Sequence, residues 1–424
     1  NTSSDLYPNV QRGRAVRIRS FYNGVFKPIM AGKIADVKVF TGKRNQVQLV
    51  VEGAMKKLAT ADTKISVQQN VDIDDAIGLI LDEAGWPTLW GRSLEDTSDV
   101  LSYWWSNNKA ITEINNLADA ELGVFFEAAD GKATYYSRHH SNTPILTLTQ
   151  EELSTDIEEL QPREVIRNKI NVIAHPPILR TSVVLWTLAD TPQILAAESL
   201  NNGNGVFATY QYNNNAVSAV NVITPAATTD YLVNTAADAS GTDLTSSCTV
   251  TEFTDFGTSS KIVIENNSGF DGYLVLLKVR GDAIDQSSPS RVTIEDTDSQ
   301  DDFEVLEFTL DSEWLQSTGL ANDIARWLNS FMPLPQNFLR VKLRGRPDTQ
   351  YEADLFSVVD QSIAKKGINR NFKIIFIKHN WINDNGQDVE TTWYYEPFPD
   401  SSGFWIFDAL TGNVEMGVNT NFGL

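Results

Sequence analysis

The sequence predicts a mainly β, multidomain protein with an α+β insertion. Three observations carry that reading. Apolar residues recur at period two before Glu52 and again between Asn371 and Thr411. From Gly53 to His140 the period becomes helical. Residues 187–290 are rich in Asn, Thr, Ala, Ser and Gly and break into many short strands, which reads as an antiparallel β-sandwich.

The first strands begin at once. Val16 and Ile18 alternate, a Tyr22-Asn23-Gly24 turn follows, and Val25–Met30 and Gly32–Val39 read as two further strands. Thr41-Gly42 turns the chain into Val47–Glu52. A meander of this kind has open edges, so either later segments complete it or upstream strands are missing.

Ala54–Ala59 is a short helix. Asp72 is a plausible cap for a helix over Ile73–Ala84, with Ile73, Ile77, Ile80 and Ala84 on its apolar stripe. Asn107 or Asn108 caps a second helix to Leu122, with Ile111, Ile114, Leu117 and Ala118 on one face and Gly123 as its stop. Val124–Glu127, the Ala129-Asp130-Gly131 turn and Ala133–Tyr136 form a hairpin. The stretch from Leu153 to Arg167 is helix or loop.

Lys169–Ala174 and Val183–Trp186 are strands, separated by His175-Pro176-Pro177. Within 187–290 the clearest strands are Lys261–Asn267 and Gly272–Val279. Arg291–Ile294 is a strand, an acidic stretch from Glu295 to Glu307 follows, and Leu320–Phe331 is a helix. Phe338–Leu343 is a strand. Phe372–Ile382, the Asn383-Asp384-Asn385-Gly386 turn and the alternating Val389, Thr391, Trp393 and Tyr395 make a long hairpin. Phe404–Phe407 reads as one more strand. The hairpin is apolar on both faces between Ile374 and Ile377, so a cover is expected on both sides.

Composition narrows the chemistry. At 424 residues the chain has room for about two to four domains. Cys248 is the only cysteine, which excludes an intramolecular disulfide and a cysteine-cluster zinc site. No apolar run approaches the roughly 18 residues of a membrane helix, so no membrane insertion is expected. The net charge of −21 argues against coating a nucleic-acid duplex. It is unevenly spread: residues 1–60 carry eleven Lys/Arg and three Asp/Glu, whereas residues 181–330 carry five Lys/Arg and twenty-one Asp/Glu.

No catalytic, cofactor-binding or metal residue is assigned, and no cofactor is expected. Asp296, Asp298, Asp301, Asp302 and Glu307 have the oxygen density of a calcium loop. The sixth position, however, is Asp301, where the turn needs Gly, and the stretch reads as an exposed acidic loop. His139 and His140 are adjacent and follow an expected strand, and adjacent residues of a strand point to opposite faces; neither they nor His175 and His379 have a cysteine nearby. No Gly-x-Ser-x-Gly elbow and no phosphate loop is present. Trp104-Trp105 is either a sugar platform or, as adjacent bulky residues more commonly are, part of a core.

A string of short motifs, in order, resembles the hub proteins at the distal tail tip of long-tailed bacteriophages, known as minor tail proteins. They are Gly13-Arg14-Ala15-Val16-Arg17-Ile18 with Ala31-Gly32-Lys33-Ile34; Val47 to Gly53 leading to Leu58; Ala84-Gly85-Trp86-Pro87; and Ile114 to Gly123 running into Asp130-Gly131. Asn168 to Val172, Ile264-Glu265-Asn266, Glu295-Asp296 to Ser299, and Phe404 to Asp408 follow. Two departures stand out: the family has further strands before the Pro8-to-Gly13 stretch, and it places a Tyr-Gly pair where this chain has Phe303-Glu304.

The resemblance implies two tail-tube-like β-barrels. The first, split, barrel combines 1–53 with 141–186, and the second covers 337–424. The α+β insertion spans 54–140, the sandwich 187–290, and a connector 291–336. It also implies a homotrimer at the distal end of the virion tail, assembled in the host cytoplasm. Its partners would be a distal tail ring protein, a tape-measure protein, and tail fibres or receptor-binding proteins, with DNA passing through an acidic channel. Two other readings stay open on the residues alone: a carbohydrate-binding adhesin, and a tail-associated cell-wall hydrolase. The hub of a phage-derived injection machine would share the fold.

Overall fold

The computed structural model describes residues 10–397 except 23, 41–45, 98, 141–142, 150–152, 154–156, 163–164, 345–346, 364–366 and 382–388. The chain is mainly β. Its first element is a three-stranded antiparallel sheet, β1 (Ala15–Tyr22), β2 (Val25–Phe40) and β3 (Gln46–Glu52), in that order. The two strands expected over 25–39 are one 16-residue strand. Its continuity is possible because Gly32 lets the backbone of Glu52 close in: a Cβ at that position would stand 2.5 Å from the Glu52 carbonyl oxygen.

The helical stretch then folds around one core. α1 (Met55–Thr60), α2 (Ile73–Glu83) and α3 (Ala110–Glu121) pack Leu58, Ile77, Ile80, Ile114 and Leu117 against Trp86, Trp90 and Trp104. Neither long helix is capped as expected. Asp72 makes no side-chain cap; Thr97 Oγ1 instead accepts from the Ile73 N–H at 3.2 Å. Asn108 donates its side-chain amide to Glu113 at 3.0 Å, and Lys109 holds the cap position of α3. The stop is as expected: Leu122 adopts φ 59° and the Gly123 N–H returns to the Ala118 carbonyl at 2.8 Å. Strands Val124–Glu127 and Ala133–Tyr136 pair antiparallel.

The strand Gly272–Gln286 is the spine of the next part. It pairs antiparallel with Pro177–Thr187, Gln193–Ile194, Ser218–Ile223 and Tyr231–Asn234. A second sheet, Val206–Thr209, Ser259–Asn266 and Cys248–Asp255, shares one cluster with it, in which Leu185, Leu274 and Val279 meet Ile262 and Ile264. Lys169–Ala174 does not join β1–β3. It lies between Ser290–Glu295 and Glu307–Asp311, and α5 (Thr318–Asn329) packs Ile324 and Leu328 on Ile170 and Val172.

The acidic stretch is not a loop. Thr297–Phe303 forms α4, capped by Asp296, whose carboxylate accepts from the Ser299 N–H at 2.9 Å. Buried Asn168 ties its far end down: its amide donates to the Glu304 carbonyl at 2.8 Å and its carbonyl accepts from the Leu306 N–H at 2.7 Å.

The C-terminal sheet has six strands in the order Glu158–Leu160, Phe338–Arg344, Val389–Pro397, Ile368–Trp381, Val358–Ile363 and Leu146–Thr149. Among the described residues it is open, not closed into a barrel. The segment 141–186, expected in the first barrel, thus contributes strands to the C-terminal sheet and to two others. Val389, Thr391, Trp393 and Tyr395 are all buried. The second face of the hairpin is not covered: a bulge at Ile375 leaves Phe376 52% exposed. The Asn383–Gly386 turn and the Phe404–Phe407 strand lie outside the described residues.

Candidate functional site

The site is built on β1–β3. The cross-strand pairs Val37↔Leu49 and Val39↔Val47 place four apolar side chains on one face of the β2–β3 arm. Val39 is 65% exposed and Val47 57%. At the other end of the sheet Phe21 pairs with Phe26, their rings 4.7 Å apart, and both are exposed. Among the described residues no strand pairs with the outer edge of β1 or of β3. An apolar, unpaired sheet of this kind is a template for another chain.

The same sheet is cationic. Arg14, Arg19, Lys33 and Lys38 are exposed, and none of them forms an ion pair among the described residues. Contacts that hold the sheet to the rest of the molecule include the Arg17 guanidinium donating to the Leu89 carbonyl at 3.0 Å, Lys27 pairing with Glu352, a side-chain hydrogen bond between Ser20 and Tyr351, and Ala31 abutting Gly131. Arg12 lies 2.6 Å from Asp36 and holds that carboxyl below the usual carboxylate range. A cleft runs between β2 and the C-terminal sheet, lined by Pro28, Met30, Glu127, Asp354 and Phe376. Burial raises the Glu127 and Asp354 carboxyls, and both brace the junction: Glu127 accepts from the Met55 N–H at 3.2 Å and Asp354 from the Ala129 N–H at 2.8 Å.

The residues singled out in the sequence are not brought together. Trp104 is fully buried and its indole N–H donates to Glu113 at 3.0 Å, so the tryptophan pair offers no sugar platform; Trp105 packs edge-on against Trp314 at 5.0 Å. His140 follows a strand, stacks on Tyr136 at 3.6 Å and bonds Glu95 at 3.1 Å. His175 pairs with Asp311 at 2.6 Å, and His379 bonds Thr391 at 2.8 Å. Asp298, Asp301 and Asp302 are exposed on α4. Among the described residues no group of three or more His, Cys, Asp or Glu converges on a metal position, and no helix is long and apolar enough to cross a membrane.

Sequence patterning marked β1–β3 as strands, as basic and as open-edged, but not which of its apolar side chains stay exposed. Two buried carboxylates were missed as well. Glu113 and Glu121 face inward from α3, where burial raises both, Glu121 to about 7. Tyr135 donates its hydroxyl to Glu121, and Arg138 pairs with Asp99 beside it. The arrangement is a buried network in which Glu121 Oε1 has no hydrogen-bond partner among the described residues and lies 4.0 Å from the Arg138 guanidinium.

No protein-family model matches the sequence, and no curated protein does. Among solved structures, the chain is similar to a tail protein from Neisseria meningitidis MC58, with TM-score 0.48 and 9% identity over 90% of this chain and 83% of that one. It is similar to the 43 kDa tail protein of prophage MuSo2 from Shewanella oneidensis, with TM-score 0.48 and 8% identity over 91% and 82%. Prophage tail protein gp18 from Listeria monocytogenes EGD-e aligns at TM-score 0.39 and 10% identity over 89% and 78%.

Proposed function

We propose that this chain is a structural subunit of a bacteriophage tail, the hub of the distal tip, and that it works by assembly rather than catalysis. The observation that carries the reading is the β1–β3 sheet: it has exposed apolar side chains on the β2–β3 arm, exposed cationic residues, and two outer edges that no strand pairs among the described residues. A sheet of that composition is a liability in a monomer and an asset in a ring. The order of short motifs from Gly13 to Asp408 supports the same reading. In it, β1–β3 and the open C-terminal sheet become tube-like barrels when copies come together, and the two sheets around Gly272–Gln286 form a peripheral sandwich. Three copies then present six barrels, joining a sixfold tube to a threefold tip.

In this role the partners are a distal tail ring protein, a tape-measure protein and tail fibres, and DNA passes without specific binding. The chain's net charge of −21 disfavours DNA binding as DNA passes. The test is immunogold labelling of intact particles with antibodies to this chain. Label confined to the distal tail end is expected; label on capsids, or particles without the chain, overturns the reading.

A further inference from the structure

Along β1, Arg17, Arg19 and Phe21 alternate and so share one face, and the register sets Ala31, Pro28 and Phe26 of β2 opposite them. This face looks onto the helical stretch, where Arg17 donates to the Leu89 carbonyl at 3.0 Å and Ala31 abuts Gly131. A groove of about 370 Å³ lies between the two, lined by Arg17, Arg19, Phe26, Pro28, Leu89 and Trp90. Lys132 and Asp130 also border it, but they pair with each other at 2.8 Å. Arg17 and Arg19 form no ion pair among the described residues, so they carry the net charge of the groove. Trp90 is 3% exposed, and its indole N–H has no hydrogen-bond partner among the described residues. Both arginines stand on an edge strand. Gly13 and Arg14, just before β1, bond Ile34 of β2, and no described strand pairs with the outer edge of β1.

We propose that an extended segment of a partner protein adds to the outer edge of β1 as a fourth strand, with carboxylates at alternate positions that meet Arg17 and Arg19 in this groove. Strand addition supplies the backbone bonds that the edge lacks, and every second side chain of the added strand falls on the groove side. Residues across from Arg17, Arg19 and Phe21 then form one row. Two carboxylates suit the arginines as opposite-charge cross-strand pairs, and an apolar side chain suits the exposed Phe21. A basic segment is selected against, because its charges would face two guanidiniums without counter-ions. This goes beyond the assembly reading above, which immunogold labelling tests separately.

Peptide binding to the full chain tests it. The probe is a short, end-blocked, dye-labelled peptide that alternates threonine with the row leucine, aspartate, aspartate, leucine, which reads the same in either strand direction. It is expected to bind, and to bind less tightly as salt is raised. Arg19→Glu, at an exposed position, is expected to weaken it on the order of tenfold. Lys38→Glu, equally exposed but outside the groove, is expected to leave it unchanged. A peptide of the same composition with its aspartates adjacent, and one methylated on its backbone nitrogens, are both expected to bind weakly. If either matches the probe, charge attraction without strand addition is at work and the inference is overturned. Equal losses in Arg19→Glu and Lys38→Glu overturn the assignment to the groove, as does no loss in Arg19→Glu. Failure of the probe to bind at low salt overturns the inference outright, and self-association that displaces the peptide makes a second copy the occupant in place of a partner. None of these results bears on where the chain sits in a particle.

Discussion

The carboxyl of Glu121 is fully buried on the inner face of α3, and burial pushes it up to about 7 against the Tyr135 hydroxyl and the Arg138 guanidinium, which lower it. The folded chain therefore holds this proton more tightly than the unfolded chain, whose carboxyl has its ordinary value near 4.5. Stability is greatest below that value, falls as pH rises through it to about 7, and is constant above. Glu121→Gln keeps an acceptor for Tyr135 without a charge. It is expected to raise stability at pH 8 by on the order of 3 kcal/mol, with the gain vanishing near pH 4, in urea titrations at both pH values. Gly131 sits at φ +92°, where a Cβ would stand 2.6 Å from that of Ala31. Gly131→Ala should cost roughly 2 kcal/mol and lower the melting temperature, because both the backbone and β2 resist it. The Ala129-Asp130-Gly131 turn was legible from its residue types. The inward carboxylates were not: Ile114 and Leu117 reveal the stripe, but the donors that reach Glu113 and Glu121 come from other elements.

Among the elements, the β2–β3 arm and the C-terminal hairpin behave oppositely although both alternate. Val389, Thr391, Trp393 and Tyr395 point into a core made by their own sheet. Trp393→Asp is expected to destabilise the chain by more than about 4 kcal/mol, read by chemical denaturation, since it puts a charge where the indole is fully buried. Val39 and Leu49 lie on an open face, so Val39→Asp with Leu49→Asp should change monomer stability by less than about 1 kcal/mol while abolishing assembly. Period two disclosed both strands equally, because it reports a face and not what covers it. The same limit explains the C-terminal sheet. Its neighbours Leu146–Thr149 and Glu158–Leu160 come from roughly 210 and 180 residues upstream of the strands they pair with, and such short runs carry no sign of the partner. α4 was read as a loop because Asp is a poor helix former; the Asp296 cap and the grip of Asn168 outweigh that propensity.

At the scale of the whole molecule, charge and cover tell one story. The basic first sixty residues and the acidic middle of the chain were evident from counting, and in the structure Arg17, Arg19, Lys27, Lys33 and Lys38 of the basic part lie on a sheet whose outer edges no strand pairs among the described residues. Mainly β architecture, the helical interlude and the strand-rich 187–290 region were all readable from periodicity. Which strands share a sheet was not, since Lys169–Ala174 pairs with segments more than a hundred residues downstream. The account's central claim is that β1–β3 is completed by other copies of the chain. Native mass measurement of the purified chain across a concentration series tests it most directly. A species of three copies that disappears on Val39→Asp with Leu49→Asp is the predicted result; a single copy of 47.2 kDa at every concentration, with or without those substitutions, would contradict it.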